Sequence, residues 1–516
     1  MGHFLKRGIN SVVWLLLLVG LGVFVFVLRR AQLFWWLDLQ TFSTLMKGLL
    51  SLYLFGIGFF IFYENPNPHR TLAWLLVLMA FPILGFIFYL SFGRSFRKRK
   101  ISETKRLFMR SALDKRADVQ AAMVPIVETF SAHLVNERLV HLLLNNSNSP
   151  FFLHNEIDIY PDGDAFFNAL LADIRQAKHH IHLEYYIVRH DRIGLELQEA
   201  LLERHRAGVE VRFIYDSVGC WRLSKAYIET FKRGGVACYA FLPMAFPIFG
   251  RELNYRNHRK LTIIDGSIGY IGGNNIGDEY RGMNPTMGYW RDTHLRISGE
   301  AVMGLQHHFL MDWAFVSHEL LVEREYLNIA ETTKQSLVQI AASGPDTDWE
   351  IIAQAYFSMI ATAKWRIWIN TPYLVPDDSI MMGLETAALS GVDVRIIIPE
   401  KPDHLLVYWA TRANLEKLLK AGVKIYRYQK GFIHSKTLIV DASVASVGTA
   451  NLDFRSLEIN FEINAFLYGA DEITKLSEAF ALDLEDSVEV DYQTHCARSK
   501  GQRVLEALGR LVSPLQ

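Results

Sequence analysis

The 516-residue chain has little cysteine: it contains only Cys220, Cys238 and Cys496, and no CxxC pair. This excludes a disulfide framework and a thiolate metal site, and it predicts reduced thiols, as in a cytosolic domain. The chain also lacks a net charge, with 54 Lys and Arg against 54 Asp and Glu. No glycine-rich nucleotide-binding loop is present.

The even charge balance hides a basic start and an acidic body. Residues 1–110 hold 14 Lys and Arg against 3 Asp and Glu, a net charge of +11, so the remaining 406 residues carry −11. Affinity for nucleic acid comes largely from Lys and Arg that neutralise phosphates, so the acidic body argues against a nucleic-acid partner.

Half of the residues are hydrophobic and the mean hydropathy is +0.11, which indicates that part of the chain lies in lipid. The uncharged runs 11–28 and 71–92 approach the ~20 residues of a membrane-spanning helix. Residues 48–63 are a third candidate, so arrangements with two or three spans stay open. Buried core helices are the alternative. A cleaved signal peptide at the first run is disfavoured because no small-residue cleavage site precedes Arg29.

Eight Lys and Arg lie between residues 94 and 110, directly after the last of these runs. The excess of positive charge on the cytoplasmic side of membrane proteins places this cluster, and the body that follows it, in the cytoplasm. The same cluster is expected to contact anionic lipid headgroups. The sequence therefore predicts a multi-pass membrane anchor over residues 1–110.

From about residue 150 the chain alternates between helical and strand patterns. Helical spacing over 163–177 and 193–207 alternates with strand patterns over 180–188, 209–216 and 261–265. The pattern recurs with a helix over 349–363 and strands over 363–373 and 390–399. The second copy is offset from the first by the length of a whole α/β domain, so a duplicated α/β body is predicted.

Each copy carries the same motif, HxKx4Dx6G(G/T)xN, at the same place in its pattern. The first copy supplies His258, Lys260, Asp265 and Asn275, and the second supplies His434, Lys436, Asp441 and Asn451. A single short match is weak, whereas two matches in one register at corresponding points of a repeat are specific.

The residue types in this motif favour phosphate chemistry. His and Lys two apart on a strand project to the same face, where the ammonium repels a metal ion but attracts phosphate oxygens. The amides of Asn275 and Asn451 are predicted to donate to the same oxygens. No metal or other cofactor is predicted, because the lysines already neutralise the charge.

Two such half-sites facing each other would place two imidazoles around one phosphorus. One neutral ring attacks the phosphodiester while the other, protonated, gives its proton to the leaving alkoxide. An alcohol or water then attacks the phosphohistidine.

Four carboxylates complete this prediction. Asp265 and Asp441 belong to the predicted catalytic set with the two histidines and the two lysines, whereas Asp292 and Glu462 are predicted to have supporting roles. Asp265 and Asp441 end their strands, and either fix the Lys and loop geometry or simply cap the strand. Asp292, downstream of His258, and Glu462, downstream of His434, are each predicted to accept the second N–H of the histidine that precedes them. Ordinary surface carboxylates are the alternative for both.

The two HKD motifs resemble those of the phospholipase D superfamily. More narrowly, the chain resembles the bacterial cardiolipin synthases of that superfamily. The stretches that carry the closer match are NYRNHRK at 254–260, IGGNNIGDEY at 271–280, YWRDTH at 289–294 and FIHSK at 432–436. A hydrophobic start with basic flanks and the C-terminal LVSPL also match, so the similarity covers nearly the whole length.

The resemblance implies two tandem α/β/α sandwich domains in a pseudo-twofold arrangement, over 111–330 and 331–516, preceded by transmembrane helices. It implies transfer of a phosphatidyl group between two phosphatidylglycerol molecules at a bacterial cytoplasmic membrane, giving cardiolipin and glycerol. It implies His258 as nucleophile, His434 as acid and base, and both lysines on phosphate. The near-symmetry of the motifs leaves the order of the two histidines open.

Other functions are compatible with parts of the pattern. A hydrolytic phospholipase D, or a phosphatidyltransferase with another alcohol acceptor, would have the same site and differ only in acceptor. A nuclease is disfavoured by the acidic body and the apolar runs. An inactive membrane scaffold is disfavoured because all six His, Lys and Asp residues of the motifs are present.

Overall fold

The structure is a computed structural model, and it describes residues 39–64, 68–81, 85–86, 88–89, 136–243, 254–321, 324–328 and 330–512. The chain forms two compact units, Met1–Leu90 and Ser91–Gln516. In the first unit, helices α1 (Leu39–Glu64) and α2 (Pro68–Ala80) contact each other. Ile61 and Trp74 are among the side chains that they bury.

The membrane spans predicted from the sequence fall in and around this first unit. Within the described ranges, no helix is both long and apolar enough to cross a membrane. The predicted span 48–63 lies inside α1, and the predicted span 71–92 overlaps α2, which ends after 13 residues. The described helices therefore do not support these two spans. The span predicted at 11–28 and the basic cluster at 94–110 lie outside the described residues.

The second unit alternates between helices and strands, as the sequence pattern predicts. Its helices are α3 (Glu137–Ser147), α4 (Gly163–Gln176), α5 (Arg192–Arg206), α6 (Lys225–Arg233), α7 (Val302–Ser317), α8 (Ile351–Thr362), α9 (Asp378–Leu389), α10 (Leu405–Lys420), α11 (Phe454–Glu458), α12 (Ala470–Glu485), α13 (Tyr492–Cys496) and α14 (Lys500–Val512). Short 3₁₀ helices span Asp278–Arg281 and Arg324–Leu327.

The strands of this unit fall into two large sheets and one small one. They are β1 (Phe151–Phe152), β2 (Asn155–Asp162), β3 (His180–Tyr185), β4 (Glu210–Asp216), β5 (Ala237–Phe241), β6 (Lys260–Ile264), β7 (Ile268–Gly272), β8 (Tyr289–Gly299), β9 (Val338–Ser343), β10 (Arg366–Asn370), β11 (Leu374–Val375), β12 (Asp393–Pro399), β13 (Lys424–Tyr428), β14 (Gly431–Ile433), β15 (Thr437–Val440), β16 (Val444–Gly448), β17 (Leu452–Asp453), β18 (Glu462–Leu467) and β19 (Ser487–Glu489).

The two large sheets repeat one topology, which confirms the predicted duplication. The first has the order β14-β8-β7-β6-β3-β4-β5, with β2 also on β8, and the second has the order β1-β9-β18-β16-β15-β10-β12-β13-β19. In the first sheet β3 is parallel to β4 on one side and antiparallel to β6 on the other. In the second sheet β10 is parallel to β12 and antiparallel to β15 in the same way. An apolar core that includes Ile271, Leu295, Val447 and Ile463 draws on both sheets.

The two sheets also exchange segments. Strand β14, which precedes the second motif, pairs in parallel with β8 of the first sheet. In the same way, Asn257 beside the first motif bridges Phe461 next to β18 of the second sheet. Strand β1 pairs with β9 of the second sheet although it lies within the predicted first domain. Each half is therefore tied to the other by backbone hydrogen bonds.

Candidate active site

The two motifs lie at equivalent ends of the two sheets. Lys260 begins β6 and is paired with Tyr185, the last residue of β3. Lys436 directly precedes β15, where Thr437 is paired with Asn370, the last residue of β10. Because β3 and β10 each belong to a parallel set, both motifs lie at the carboxyl ends of parallel strands, where open α/β sheets bind ligands.

The backbone of each histidine is held by the opposite half of the molecule. The His258 amide donates to the carbonyl oxygen of Phe461 at 2.9 Å, and the His434 amide donates to that of Arg291 at 2.7 Å. Both imidazoles are largely buried, with 8% and 7% of the residue surface exposed. The exchange of segments therefore sets where the two rings lie.

The carboxylate partners of the histidines also come from the opposite half. Nδ1 of His258 lies 2.9 and 3.0 Å from the two carboxylate oxygens of Glu462. Nδ1 of His434 lies 2.6 Å from Oδ2 of Asp292. With a carboxylate accepting at Nδ1, this nitrogen carries the proton and Nε2 presents its lone pair to the cleft.

The sequence identified the right carboxylates but paired them wrongly. Asp292 was predicted for His258 and Glu462 for His434, because each follows that histidine along the chain. The structure exchanges them, since the strand that carries each carboxylate lies against the motif of the other copy. Sequence separation does not reveal which copy a strand contacts.

The two lysines and the two carboxylates form one buried charge cluster. Burial lowers the pKa of Lys260 to about 7 and that of Lys436 to about 8, against opposition from Glu462 and Asp292. Burial raises the pKa of Asp292, but the nearby Lys436 and His434 lower it by more. In the same way, His258 and Lys260 outweigh the effect of burial on the pKa of Glu462, so both carboxyls are held ionised.

Both histidines are neutral at neutral pH in this cluster. Burial is the largest cause that lowers the pKa of His258 and that of His434 to about 4. Lys436 lowers the pKa of His258, and Lys260 lowers that of His434, so the charge of each half-site acts on the other. An anion bound between the lysines would supply negative charge and raise both values.

The predicted asparagines differ in their surroundings. Asn275 accepts the Ile187 amide at 3.1 Å and donates to the Tyr280 hydroxyl at 3.2 Å, so its amide group is already engaged with the protein. Oδ1 of Asn451 is buried with no hydrogen-bond partner among the described residues. Donation from either amide to phosphate stays a prediction.

Asp265 and Asp441 lie away from the histidines, at the far ends of their strands. Asp265 accepts the amides of residues 178–180 at 2.7 to 3.0 Å, and Asp441 accepts those of residues 364–366 at 2.8 to 3.0 Å. Five residues of extended chain place each about 16 Å from its motif lysine. Both have φ of +54°, the left-handed conformation. Of the two predicted roles, the structure supports the strand-end cap.

Several residues of the cluster were not predicted. The Tyr186 ring lies edge-on to His258, with centroids 4.9 Å apart, and Lys260 Nζ lies 5.3 Å from its centroid. The Thr449 hydroxyl donates to Glu462 at 2.6 Å. Gly273 is the equivalent of Thr449 in the first motif. A Cβ on Gly273 would lie 1.9 Å from the Asp292 carboxylate, so only glycine fits there. The variable G/T position of the motif was the signal for this difference.

These observations define a duplicated α/β protein whose halves share a buried cluster of histidines, lysines and carboxylates. Each imidazole has one nitrogen fixed by a carboxylate and the other open, and two buried cations lie beside them. Such a set can form and break a covalent phosphoryl bond by nucleophilic and acid–base steps.

Comparison with known proteins gives the family. The family described as cardiolipin synthase, PLD-like domain, matches residues 170–313 and 356–484, so each match contains one motif. The family described as phospholipase D-nuclease N-terminal matches residues 51–94. The cardiolipin synthase of Halalkalibacterium halodurans is 46% identical over 470 residues, which is 90% of this chain and 93% of the relative. That of a Geobacillus species is 44% identical over 500 residues, covering 96% and 99%.

The chain therefore belongs to the cardiolipin synthase family of phospholipase D-like enzymes. The crystal structure of phosphatidylserine synthase from Haemophilus influenzae Rd KW20 has a TM-score of 0.57 at 15% identity, over 74% of this chain and 100% of that chain. At this identity the likeness concerns the fold alone.

Proposed function

We propose that this enzyme transfers a phosphatidyl group from one phosphatidylglycerol to a hydroxyl of another, which gives cardiolipin and glycerol. The names of its relatives supply the reaction. The single observation that supports it is the shared cluster, in which two imidazoles, each oriented by a carboxylate of the opposite half, adjoin two buried lysines.

The first half-reaction forms a phosphohistidine. Nε2 of His258 attacks phosphorus, the bond from phosphorus to the glycerol oxygen breaks, and His434 gives its Nε2 proton to that oxygen. Glu462 stabilises the positive charge that develops on His258, while Lys260 and Lys436 neutralise the nonbridging oxygens. The bound anion supplies the pKa increase that His434 needs to carry its proton.

The second half-reaction restores the enzyme. His434, now neutral, takes the proton of a glycerol hydroxyl on a second phosphatidylglycerol, and the oxygen attacks the phosphohistidine. The phosphorus–nitrogen bond breaks, cardiolipin leaves, and both histidines return to their starting states. One phosphodiester replaces another, so no nucleotide is consumed.

The decisive experiment supplies the purified full-length chain with phosphatidylglycerol vesicles and follows lipid and glycerol together. Cardiolipin and glycerol in equal amounts support transfer, whereas phosphatidic acid in place of cardiolipin indicates the hydrolytic alternative. His258→Ala and His434→Ala are each expected to lower the rate by at least about a thousandfold. An unchanged rate in either folded variant would refute the two-histidine mechanism.

The order of the two histidines is tested with a phosphatidyl ester of p-nitrophenol, whose leaving group needs no acid. His434→Ala should still release nitrophenol in a burst and retain a labelled phosphatidyl group on the protein. His258→Ala should do neither. The reverse result would assign His434 as the nucleophile.

We further propose that the chain is an integral protein of the bacterial cytoplasmic membrane with its catalytic unit on the cytoplasmic side. The uncharged run at 11–28 and the basic residues between 94 and 110 support this placement. Extraction of membranes at alkaline pH should leave the chain in the pellet, and added protease should reach the catalytic unit only from the cytoplasmic side.

A further inference from the structure

The last helix, α14, exposes its apolar side chains. Together with the first turn of α10 it presents a surface that we call the α14 face, formed by Val504, Leu505, Leu508, Leu511, Leu405 and Leu406. We propose that this face docks the catalytic unit onto an anionic lipid bilayer. The inference rests on the proposed function, because an enzyme that uses phosphatidylglycerol must meet its substrate at a bilayer.

The orientation of α14 is the reverse of that of an ordinary surface helix, which turns its apolar stripe to the core. At 100° per residue its exposed residues Val504, Leu505, Leu508 and Leu511 fall within an arc of about 120°. A different side of the helix contacts the protein: a Cβ on Gly509 would lie 2.7 Å from the Ala410 backbone, so the two helices approach closely there. The apolar arc is left facing outward.

The charges of α14 match an anionic partner. Its exposed charged residues, Lys500, Arg503 and Arg510, are all basic. Its one carboxylate, Glu506, is buried and accepts hydrogen bonds from Arg412 at 3.4 Å and Arg498 at 2.7 Å. Apolar side chains flanked by basic ones are typical of helices that lie in the interface of an anionic membrane.

The α14 face borders a route to the histidines. His404, which precedes α10, and Tyr408 and Arg412 in the first half of that helix line an open pocket. The same pocket reaches Phe432, whose ring centroid lies 6.1 Å from that of His434. A lipid headgroup lifted from a bilayer under this face would enter the pocket beside the catalytic cluster.

The first repeat has an exposed apolar residue at the corresponding place. Trp221 follows β4 as His404 follows β12, in the register that relates those two strands. Its ring is exposed and Arg222 stacks on it at 4.7 Å. Exposed apolar groups therefore follow the equivalent strand in both repeats, with a basic group stacked on that of the first.

The direct test places a polarity-sensitive fluorophore on the α14 face of the full-length chain. The label is attached at Leu508→Cys, with Cys496→Ser to remove the partly exposed native thiol. The matched control is Leu389→Cys, because Leu389 is exposed by 74%, against 51% for Leu508, and precedes β12 at the end of the sheet remote from the histidines. Both proteins are reconstituted into vesicles of phosphatidylcholine alone or with phosphatidylglycerol.

The expected result is a blue shift and quenching by brominated acyl chains at position 508, stronger with phosphatidylglycerol, and neither at position 389. An aqueous label at 508 on phosphatidylglycerol vesicles would overturn the proposal. A blue shift without quenching would also overturn it, because another segment or a second copy of the chain would then cover the face.

Kinetics give a second, independent measurement. Leu505→Asp with Leu508→Asp should lower activity on phosphatidylglycerol vesicles at least about tenfold, since two apolar side chains leave the bilayer. Activity on a water-soluble, short-chain phosphatidylglycerol should not change, which also shows that the variant is folded. Leu389→Asp should affect neither substrate, and equal activity of the double variant on vesicles contradicts docking.

The two proposals fail in different ways. Quenching at position 508 of the labelled chain, together with no cardiolipin synthesis by the unlabelled wild-type chain, would leave docking standing and reject the proposed reaction. Cardiolipin synthesis by a chain whose label stays aqueous would do the opposite.

Discussion

The two repeats hold the same catalytic groups in the same places but secure them with different residues. In the first repeat Arg259, between His258 and Lys260, forms an ion pair with Asp312 on α7. In the second repeat Ser435 takes that place, and the equivalent carboxylate, Asp483 on α12, is paired with Arg291 of β8 at 2.6 Å.

At each of the two equivalent pairs of positions, one repeat has an arginine and the other does not. The counterpart of Arg291 on the other side is Phe461, whose ring lies 5.7 Å from the Arg259 guanidinium. Each side of the interface thus buries one guanidinium against one helix carboxylate, although both arginines belong to the first repeat. The arrangement of charge has been kept while the residues that supply it have changed.

The largest effect on this comparison is expected from the carboxylates that orient the histidines. Glu462→Gln and Asp292→Asn keep the size of the side chain but remove its charge and favour the wrong imidazole tautomer, so each should lower kcat by about 10² to 10⁴-fold. Steady-state kinetics measure the effect. If the halves have separate roles, the two variants will differ in which half-reaction slows, and burst kinetics will resolve this difference. A kcat equal to that of the wild type in both variants would contradict the assigned His–carboxylate pairs.

The arginine pairs should show a difference in stability. Arg259→Met removes the buried guanidinium that pairs with Asp312, with an expected loss of about 3–5 kcal/mol. Arg291→Met should cost less, because Asp483 keeps the neutral amide of Asn370 as a donor at 2.9 Å, whereas the neighbour that Asp312 keeps is another carboxyl, that of Glu184. Denaturant unfolding of the second unit checks the order. Adding Asp312→Leu to Arg259→Met should recover most of the loss, and no recovery would show that the buried charge is not its cause.

The two strand-end aspartates should behave alike. Asp265→Ala and Asp441→Ala each leave three backbone amides without their acceptor, with an expected loss of about 1–3 kcal/mol and little change in kcat at low temperature. Asn is the matched control, since it tolerates positive φ and keeps one acceptor oxygen. A loss of kcat without a loss of stability would return both residues to the catalytic set.

The smallest effect concerns pH. Because Lys260 has a pKa of about 7 and Lys436 of about 8, raising the pH removes positive charge from the site. We expect kcat/KM for phosphatidylglycerol to fall by a few fold as the pH rises from about 7 to 9. Lys260→Arg should move this alkaline limb to higher pH, since arginine stays protonated; a limb that does not move would assign it to another group.

The sequence was sufficient for the elements and the motif. Helix α4 and strand β4 occur where the spacing predicts them, because their apolar periodicity matches their burial. The expectation that His and Lys of each motif lie two apart on one strand was wrong, because β6 begins at Lys260 and β15 begins at Thr437, so both histidines lie outside the strands. The partners of the histidines were beyond reach, since the pairing of β14 with β8 joins segments that are far apart along the chain. The pairing of Arg291 with Asp483 cannot be predicted from a comparison of the two motifs for the same reason.

The reciprocal pairing of β14 with β8 and of Asn257 with Phe461 has a consequence for the gene. A fragment encoding either half would carry a histidine without its carboxylate and a carboxylate without its histidine. Complementary fragments produced in the same cell should regain turnover only by associating, whereas two copies of one fragment would have to reproduce the missing contacts with their own sequence. Within a single chain the two halves can therefore use different supporting residues, as the positions of Arg259 and Arg291 show.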